Sequence, residues 1–393
     1  MDDRSIEPSP TEKLMGGVGW AAIGRVIIKA LLLYVILNIV FAAFRPLDFI
    51  GNISLYNSVL PGRDRLPYGE VPSEDFNLTL NNLPAMFAAH RWIDSEKDDE
   101  FRVLVIGDSA TWGWFLRNED TLTGQLNHLN LVTKDRLPVV FYNLGYPVMS
   151  LTKDLLLLDE AMVRGDPDLI LWPVTMQSFA HSKQLEHPLL QENASRVRSL
   201  ITRFDLDMDP ADPRLKDPGF VDNTLYGRRR ELADLLRLQS WGLSWAATGH
   251  DQAIPDEIPL RSVDFEEDYA WLDIEEPRPL SEDDLAFDVL SAGVARAETT
   301  PIVIINEPIF ISNGRNSDIR YNAFYPRWAY DHYRDLMEKS AAVNGWHYID
   351  LWDAIPPDEF TDTPVHLTPQ GNRQLAKIVA DKLAGLELKP NDE

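Results

Sequence analysis

The sequence predicts an α/β fold: a three-layer sandwich around a five-stranded parallel sheet, preceded by an apolar helix and interrupted by a helical insertion. Short apolar runs recur at residues 103–106, 139–142, 169–172, 302–305 and 348–351, each bounded by turn-forming or charged residues. Amphipathic helical patterns lie between them. Strands that alternate with helices pair in parallel, because each crossover returns the chain to the same end of the sheet and covers a face. The composition agrees: of 393 residues, 45% are hydrophobic and 25% charged, the balance of an ordinary folded chain despite 27 prolines.

Residues 1–17 are polar and proline-containing and form a tail without a structural signal. The segment 18–45 is the expected transmembrane anchor. Within it, residues 26–44 are apolar except for Lys29 and Asn38, close to the ~20 residues that a bilayer core requires. Arg25 and Lys29 lie one turn apart, where basic stems reach the headgroups, and Trp20 suits the interface. The run is longer than a signal-peptide core, and Ala42-Ala43-Phe44-Arg45-Pro46 offers no clean cleavage site, so a retained single-pass helix is expected. Basic residues nearly balance across it, with Arg4, Lys13, Arg25 and Lys29 on one side and Arg45, Arg63 and Arg65 on the other. A short tail and a large C-terminal body favour a cytoplasmic tail and an extracytoplasmic body.

Residues 46–100, dense in Gly, Pro and Asn, read as a juxtamembrane connector that packs on the edge of the body. The body spans 101–386. Its first helical pattern, Leu122, Leu126 and Leu129, follows Asp120, and the next covers 155–162 after a Ser150 cap. Over 181–280 the alternation gives way to acidic, proline-rich loops around one long helical pattern, 224–248. Arg237 and Gln239 at the middle of that pattern argue against a second membrane span. The insertion reads either as a lid or as a helix that completes the core. Another helix opens at Ser281 with an acidic first turn, and the last opens at Thr368-Pro369 with Leu375, Ile378, Val379 and Leu383 on one face.

The formal net charge of -25 argues against a nucleic-acid partner or a surface lying flat on anionic lipid, since both would be repelled. With no cysteine, disulfides, thiolate metal sites and a cysteine nucleophile are excluded. The eight histidines are scattered without ligand spacing, so no metal site is expected. No phosphate-binding loop or dinucleotide fingerprint is present; Gly16-Gly17-Val18-Gly19 has no strand before it, and no cofactor is implied.

The most informative segment, residues 101–114, is an apolar strand ending in Gly107-Asp108-Ser109 and followed by a helix. A serine at the end of a strand is exposed as a nucleophile, provided that a base takes its proton. Near the C-terminus, Asp362-Thr-Pro-Val-His366 is followed by Gly371 and the last helix. Together these segments resemble the GDSL/SGNH hydrolase superfamily, over roughly residues 101–386 with the insertion removed.

The resemblance implies a flavodoxin-like sheet, Ser109 as nucleophile, His366 as general base and Asp362 as its orienting acid. Asp362 lies four residues before the histidine, where the family's acid usually lies three before and this chain has Thr363; Asp358 and Glu359 stay open as alternatives, as does a Ser109–His366 dyad. The family's oxyanion hole maps onto Ser109, onto Gly145 in Tyr142-Asn-Leu-Gly-Tyr-Pro147, and onto the third block, where Thr175 or Gln177 stands in place of the family's Asn. Glu307 would line the pocket or cap a loop, and Arg320, Tyr321 and Arg327 would hold an anion or form ion pairs.

The expected activity is that of a membrane-anchored serine esterase or O-acyltransferase, acting through an acyl-Ser109 intermediate on an ester or acylated glycan or lipid of the cell envelope. The rival reading is a catalytically weak or inactive module that binds an envelope polymer or an assembly partner.

Overall fold

The computed structural model describes residues 20–60, 62–69, 71–94 and 99–385. The tail 1–17, with Arg4 and Lys13, and the run Gly16–Gly19 lie outside the described residues. The chain divides into two compact units: Met1–Ile50 with Pro218–Ala233, and Gly51–Asp217 with Asp234–Glu393.

The first unit holds helix α1, Trp20–Phe44, which is long and apolar enough to cross a membrane. Its side chains are exposed nearly throughout; only Asn38 and Ala42, one turn apart on a single face, are buried. Pro218–Ala233 completes this unit, and the backbone N–H of Tyr226 donates to Asn38 Oδ1 at 2.9 Å.

The second unit contains the sheet, formed by β1 (Phe101–Gly107), β2 (Val139–Gly145), β3 (Leu169–Val174), β4 (Ile302–Asn306) and β5 (His347–Asp350). The order is β2-β1-β3-β4-β5, with every pair parallel. All five predicted strands are present. Alternate residues of β1 point to opposite faces: Val103 and Val105 meet Leu122 and Leu126 of α2 (Leu122–His128) and Leu375, Val379 and Leu383 of the last helix, Pro369–Gly385. The other face is covered by α3 (Leu151–Arg164), opened by the predicted Ser150 cap, whose hydroxyl accepts from Lys153 N, and by the helix Phe287–Arg296. The three-layer sandwich follows. At Ser281 the acidic turn forms a capping box with Asp284 but continues only as a short 3-10 turn, and the helix proper starts at Phe287.

Two expectations change in detail. The stretch read as an edge connector contributes interior side chains: Arg63, Arg65, Leu66, Leu83, Phe87 and Trp92 are all buried. Nor does 181–280 behave as one lid. Its first part forms the helices Pro188–Glu192 and Ala194–Phe204, which pack on α3 and bury Leu189, Leu190, Val197, Leu200 and Ile201. The long helix begins at Arg229 and ends at Thr248, because Thr224 and its neighbours tie off a self-bonded turn instead of extending it.

Candidate active site

β1 and β2 end in register at Gly107 and Gly145, and the candidate site lies beyond that edge. At Gly107 the backbone adopts φ +155°, and a Cβ would collide with the Thr111 side chain, so only glycine admits the sharp turn. Asp108 caps the short helix Ser109–Trp112 by accepting from Ala110 N at 2.7 Å, which fixes Ser109 at the start of that helix. A Cβ on Gly145 would lie 2.5 Å from Trp112 N, so the bare β2 terminus lets the serine turn sit against it.

His366 reaches the serine from a closed loop. Phe360 and Leu367 form an antiparallel bridge, Thr361 N donates to the His366 carbonyl at 2.9 Å, and His366 N donates to Thr363 Oγ1 at 3.2 Å. Thr363, in the family's acid position, thus braces the turn, and Asp362 is turned toward the ring. His366 Nδ1 lies 2.9 Å from Asp362 Oδ1, and His366 Nε2 lies 2.8 Å from Ser109 Oγ. With Nδ1 protonated toward the carboxylate, Nε2 is free to accept the serine hydroxyl proton. Burial raises the Asp362 carboxyl, but the hydrogen bond and charge of His366 outweigh it and leave the group below its usual range. Trp114 stacks beside the imidazole at 6.2 Å between centroids, with 25° between planes. The alternative acids are placed elsewhere: Glu359 bonds Thr368 and Gln374 at the head of the last helix, and Asp358 faces Arg261.

The oxyanion candidates are less complete. The Ser109 N–H has no hydrogen-bond partner among the described residues. Gly145 N–H, by contrast, donates to Asn143 Oδ1 at 3.0 Å, and the Thr175 hydroxyl is buried against Tyr325 OH at 2.6 Å. Both expected donors are therefore already engaged. Gln177 N lies 3.4 Å from the same phenol, and its side-chain oxygen is buried without a partner.

Several supporting residues escaped the sequence reading. Asn143 sends its Nδ2 to the Thr111 carbonyl at 2.9 Å, stapling β2 to the serine turn. Arg65 is buried and donates to the carbonyls of Trp112, Gly113 and Leu116 while pairing with Asp251. Gln252 Nε2 donates to two of those same carbonyls, Gly113 and Leu116. Lys153, fully buried on α3, donates from Nζ to the Gly107 carbonyl at 2.8 Å and to the Tyr146 carbonyl, and pairs with Asp154 at 2.6 Å. Burial pushes Asp154 up to about 6 against the pull of Lys153. Glu307, expected near the pocket, is buried beneath the serine turn; burial, then the neighbouring Asp108 and Asp154, raises it well above an ordinary glutamate. Apart from Glu307, none of these residues carries a local sequence signal, since each holds a distant backbone group or another buried side chain. Arg320 is buried on Asp268 and nearby carbonyls, Tyr321 bonds Asp331, and Arg327 stacks over Tyr321. These three do not converge on Ser109.

Next to the serine a narrow cleft of about 20 Å³ is lined by Ala110, Thr111, Glu307, Pro308, Val365 and Asn372, among others. A roomier cavity of about 590 Å³ lies between Leu116–Arg117 and 248–256, and neither Ser109 nor His366 lines it. Part of the insertion approaches the histidine loop: Arg261 donates to the carbonyls of Thr361, Phe360 and Pro357.

No family model matches the chain, and no curated protein does. Among solved structures it superposes on a member of the lipolytic G-D-S-L family from Veillonella parvula, with 12% identity, 72% of this chain and 99% of the other covered, and a TM-score of 0.35. A catalytic mutant of Axe2, an acetylxylan esterase from Geobacillus stearothermophilus, gives 12% identity, 76% and 100% coverage and a TM-score of 0.36. Est24, a carbohydrate acetylesterase from Sinorhizobium meliloti, gives 13%, 73% and 100%, and 0.31. Superpositions this loose carry no chemistry across.

Proposed function

We propose that the chain is a membrane-anchored serine esterase or O-acyltransferase of the GDSL/SGNH type, with its body outside the cytoplasm. The observation that carries this reading is the unbroken relay from Ser109 Oγ through the His366 ring to Asp362, at 2.8 and 2.9 Å. In this mechanism His366 Nε2 takes the Ser109 proton as Oγ adds to the ester carbonyl. Asp362 holds the ring and stabilises its positive charge, and the imidazolium then protonates the departing alkoxide. Water or an acceptor hydroxyl, deprotonated by the same ring, releases the acyl group. Anchoring restricts the substrate to esters near the membrane, such as an acylated envelope glycan or lipid.

The oxyanion in this scheme meets the Ser109 N–H, with Gly145 joining once its N–H leaves Asn143. A hole missing one donor typically costs on the order of 10²–10³ in rate. The engaged Gly145 N–H favours a slow enzyme, and it is also what supports the second reading, a module that binds an envelope polymer without turning it over. A fluorophosphonate probe applied to the full chain in detergent separates the two. Labelling at Ser109, abolished by Ser109→Ala and His366→Ala, together with weak hydrolysis of p-nitrophenyl acetate, is the expected result. No labelling and no acyl adduct, with polymer binding retained, would replace the enzyme by the binding module.

A further inference from the structure

We infer that the loop 218–227 is a second membrane contact, a wedge that enters the boundary between headgroups and acyl chains beside α1. The inference rests on the proposal that α1 is a membrane anchor. Two independent features of the first unit carry it, one of position and one of chemistry.

The position follows from the bond between Tyr226 N–H and Asn38 Oδ1. Asn38 precedes the end of α1 at Phe44 by six residues, or about 9 Å at ~1.5 Å per residue. Arg45, paired with Asp48 and exposed, marks the polar limit of the span just beyond. With α1 in a bilayer whose apolar half is about 15 Å deep, the group that bonds Asn38 lies below the headgroups, not above them. Asn38 is otherwise a polar side chain in an apolar span; its amide donates to the Tyr34 carbonyl and its oxygen takes the Tyr226 N–H, so both ends are satisfied.

The chemistry is that of a segment fit for lipid. Backbone polar groups that enter a bilayer need internal partners, and this loop supplies several of its own. Gly219 N–H donates to Asp222 Oδ2, Asn223 Nδ2 to the carbonyls of Pro218 and Gly219, Thr224 Oγ1 to the Val221 carbonyl, and Gly227 N–H to Thr224 Oγ1. The large side chains that the loop leaves outward are apolar or aromatic, with Asp222 exposed among them: Phe220 is 61% exposed, Val221 70% and Tyr226 57%. The Arg229 guanidinium lies 4.2 Å over the Tyr226 ring, the pairing of a long cation with an aromatic that suits an interface. Asp222 and the arginines at 228–230 limit the depth to the boundary region. The chain's net charge of -25 repels anionic lipid as a whole, so the contact draws on these apolar side chains and on tethering by α1, not on charge attraction.

The absence of cysteine from the chain makes the test direct. Single cysteines at Phe220, Leu33 and Lys134 are labelled with an environment-sensitive NBD dye, and the full chain is reconstituted in phosphatidylcholine vesicles. The expected outcome is a blue-shifted label at 220, quenched by shallow nitroxide lipids and at least threefold less accessible to aqueous iodide than the label at 134, with the label at 33 quenched by deep nitroxides. Val221→Cys gives the same readout if Phe220→Cys disturbs the fold. A label at 220 as open to iodide as that at 134, with 33 still in lipid, overturns the wedge and leaves the anchor standing. A label at 33 in water overturns the anchor reading and the wedge with it.

Discussion

Asp362 sits one residue farther from His366 than the family spacing requires, and the loop absorbs the difference by bonding Thr363 to the backbone at the base of the turn. In the proposed mechanism the carboxylate acts on the ring's orientation and charge, so Asp362→Asn is expected to lower kcat about 10²- to 10⁴-fold while leaving the unfolding midpoint nearly unchanged. Steady-state rates with an activated acetate ester, beside a thermal melt, check this; activity within about twofold of the parent points to a dyad. At this scale the sequence was informative where chemistry demands a residue type. Ser109, His366 and Asp362 stand in recognisable strings, and the structure brings them within hydrogen-bond reach. Asn143 left no such trace. Its work is done on two backbone groups without a side-chain signature: the Gly145 N–H two residues on, and the Thr111 carbonyl, which the parallel register of β1 and β2 brings near. The same contact removed Gly145 from the set of free donors.

Among the elements, α3 does more than cover the sheet. Through Lys153 it holds the carbonyls at the ends of β1 and β2, the two strands that frame Ser109. Replacing this fully buried lysine by methionine leaves Asp154 without its ion partner and the Tyr146 carbonyl without its donor. A loss on the order of 3–5 kcal/mol is expected, measured as a shift of the urea midpoint at pH 7. Lys153→Met combined with Asp154→Asn is expected to recover part of that loss, because the uncompensated carboxylate is then gone. Strands and covering helices were legible because period and punctuation recur along them; each predicted apolar run appears as a strand, lengthened by a residue or more at β1, β2, β3 and β4 and shifted by one residue at β5. The stretch 46–100 was misjudged for the opposite reason. Its prolines and glycines give short irregular pieces, and irregular chain that buries Leu66, Phe87 and Trp92 has no periodicity by which to announce it.

For the molecule as a whole, buried histidines and buried carboxyls pull the response to acid in opposite directions. Burial, then Lys153, lowers His187 to about 4, and burial, then Arg91, lowers His90 to about 3, both from a usual 6.5. Below pH 6.5 the unfolded chain takes up protons that the folded chain refuses, so this stability is complete above that pH and is lost on acidification. Asp154, raised to about 6, works the other way: the folded chain keeps a proton that the unfolded chain has released, which costs stability as pH rises from 3.8 to 6. Glu307, which burial raises well above its usual range, works in the same direction as Asp154, so two histidines stand against two carboxyls and the histidine share is read by removing one of them. As pH drops from 7 to 5, the melting temperature of His187→Gln is expected to improve relative to that of the parent, because the variant lacks one site at which only the unfolded chain takes up a proton; a constant difference between the two contradicts the assignment. The buried guanidinium of Arg65 has a different bearing, on how the protein can be divided. It fills a socket of backbone carbonyls just downstream of the serine turn and is paired there with Asp251. A fragment that starts at Phe101 keeps every strand yet opens that socket, whereas one that starts at Gly51 brings its own plug. The longer fragment should refold alone and the shorter should not, and a separate 51–100 peptide, added in trans, should restore the shorter fragment's near-ultraviolet circular dichroism, with an Arg65→Met version of the peptide failing to do so.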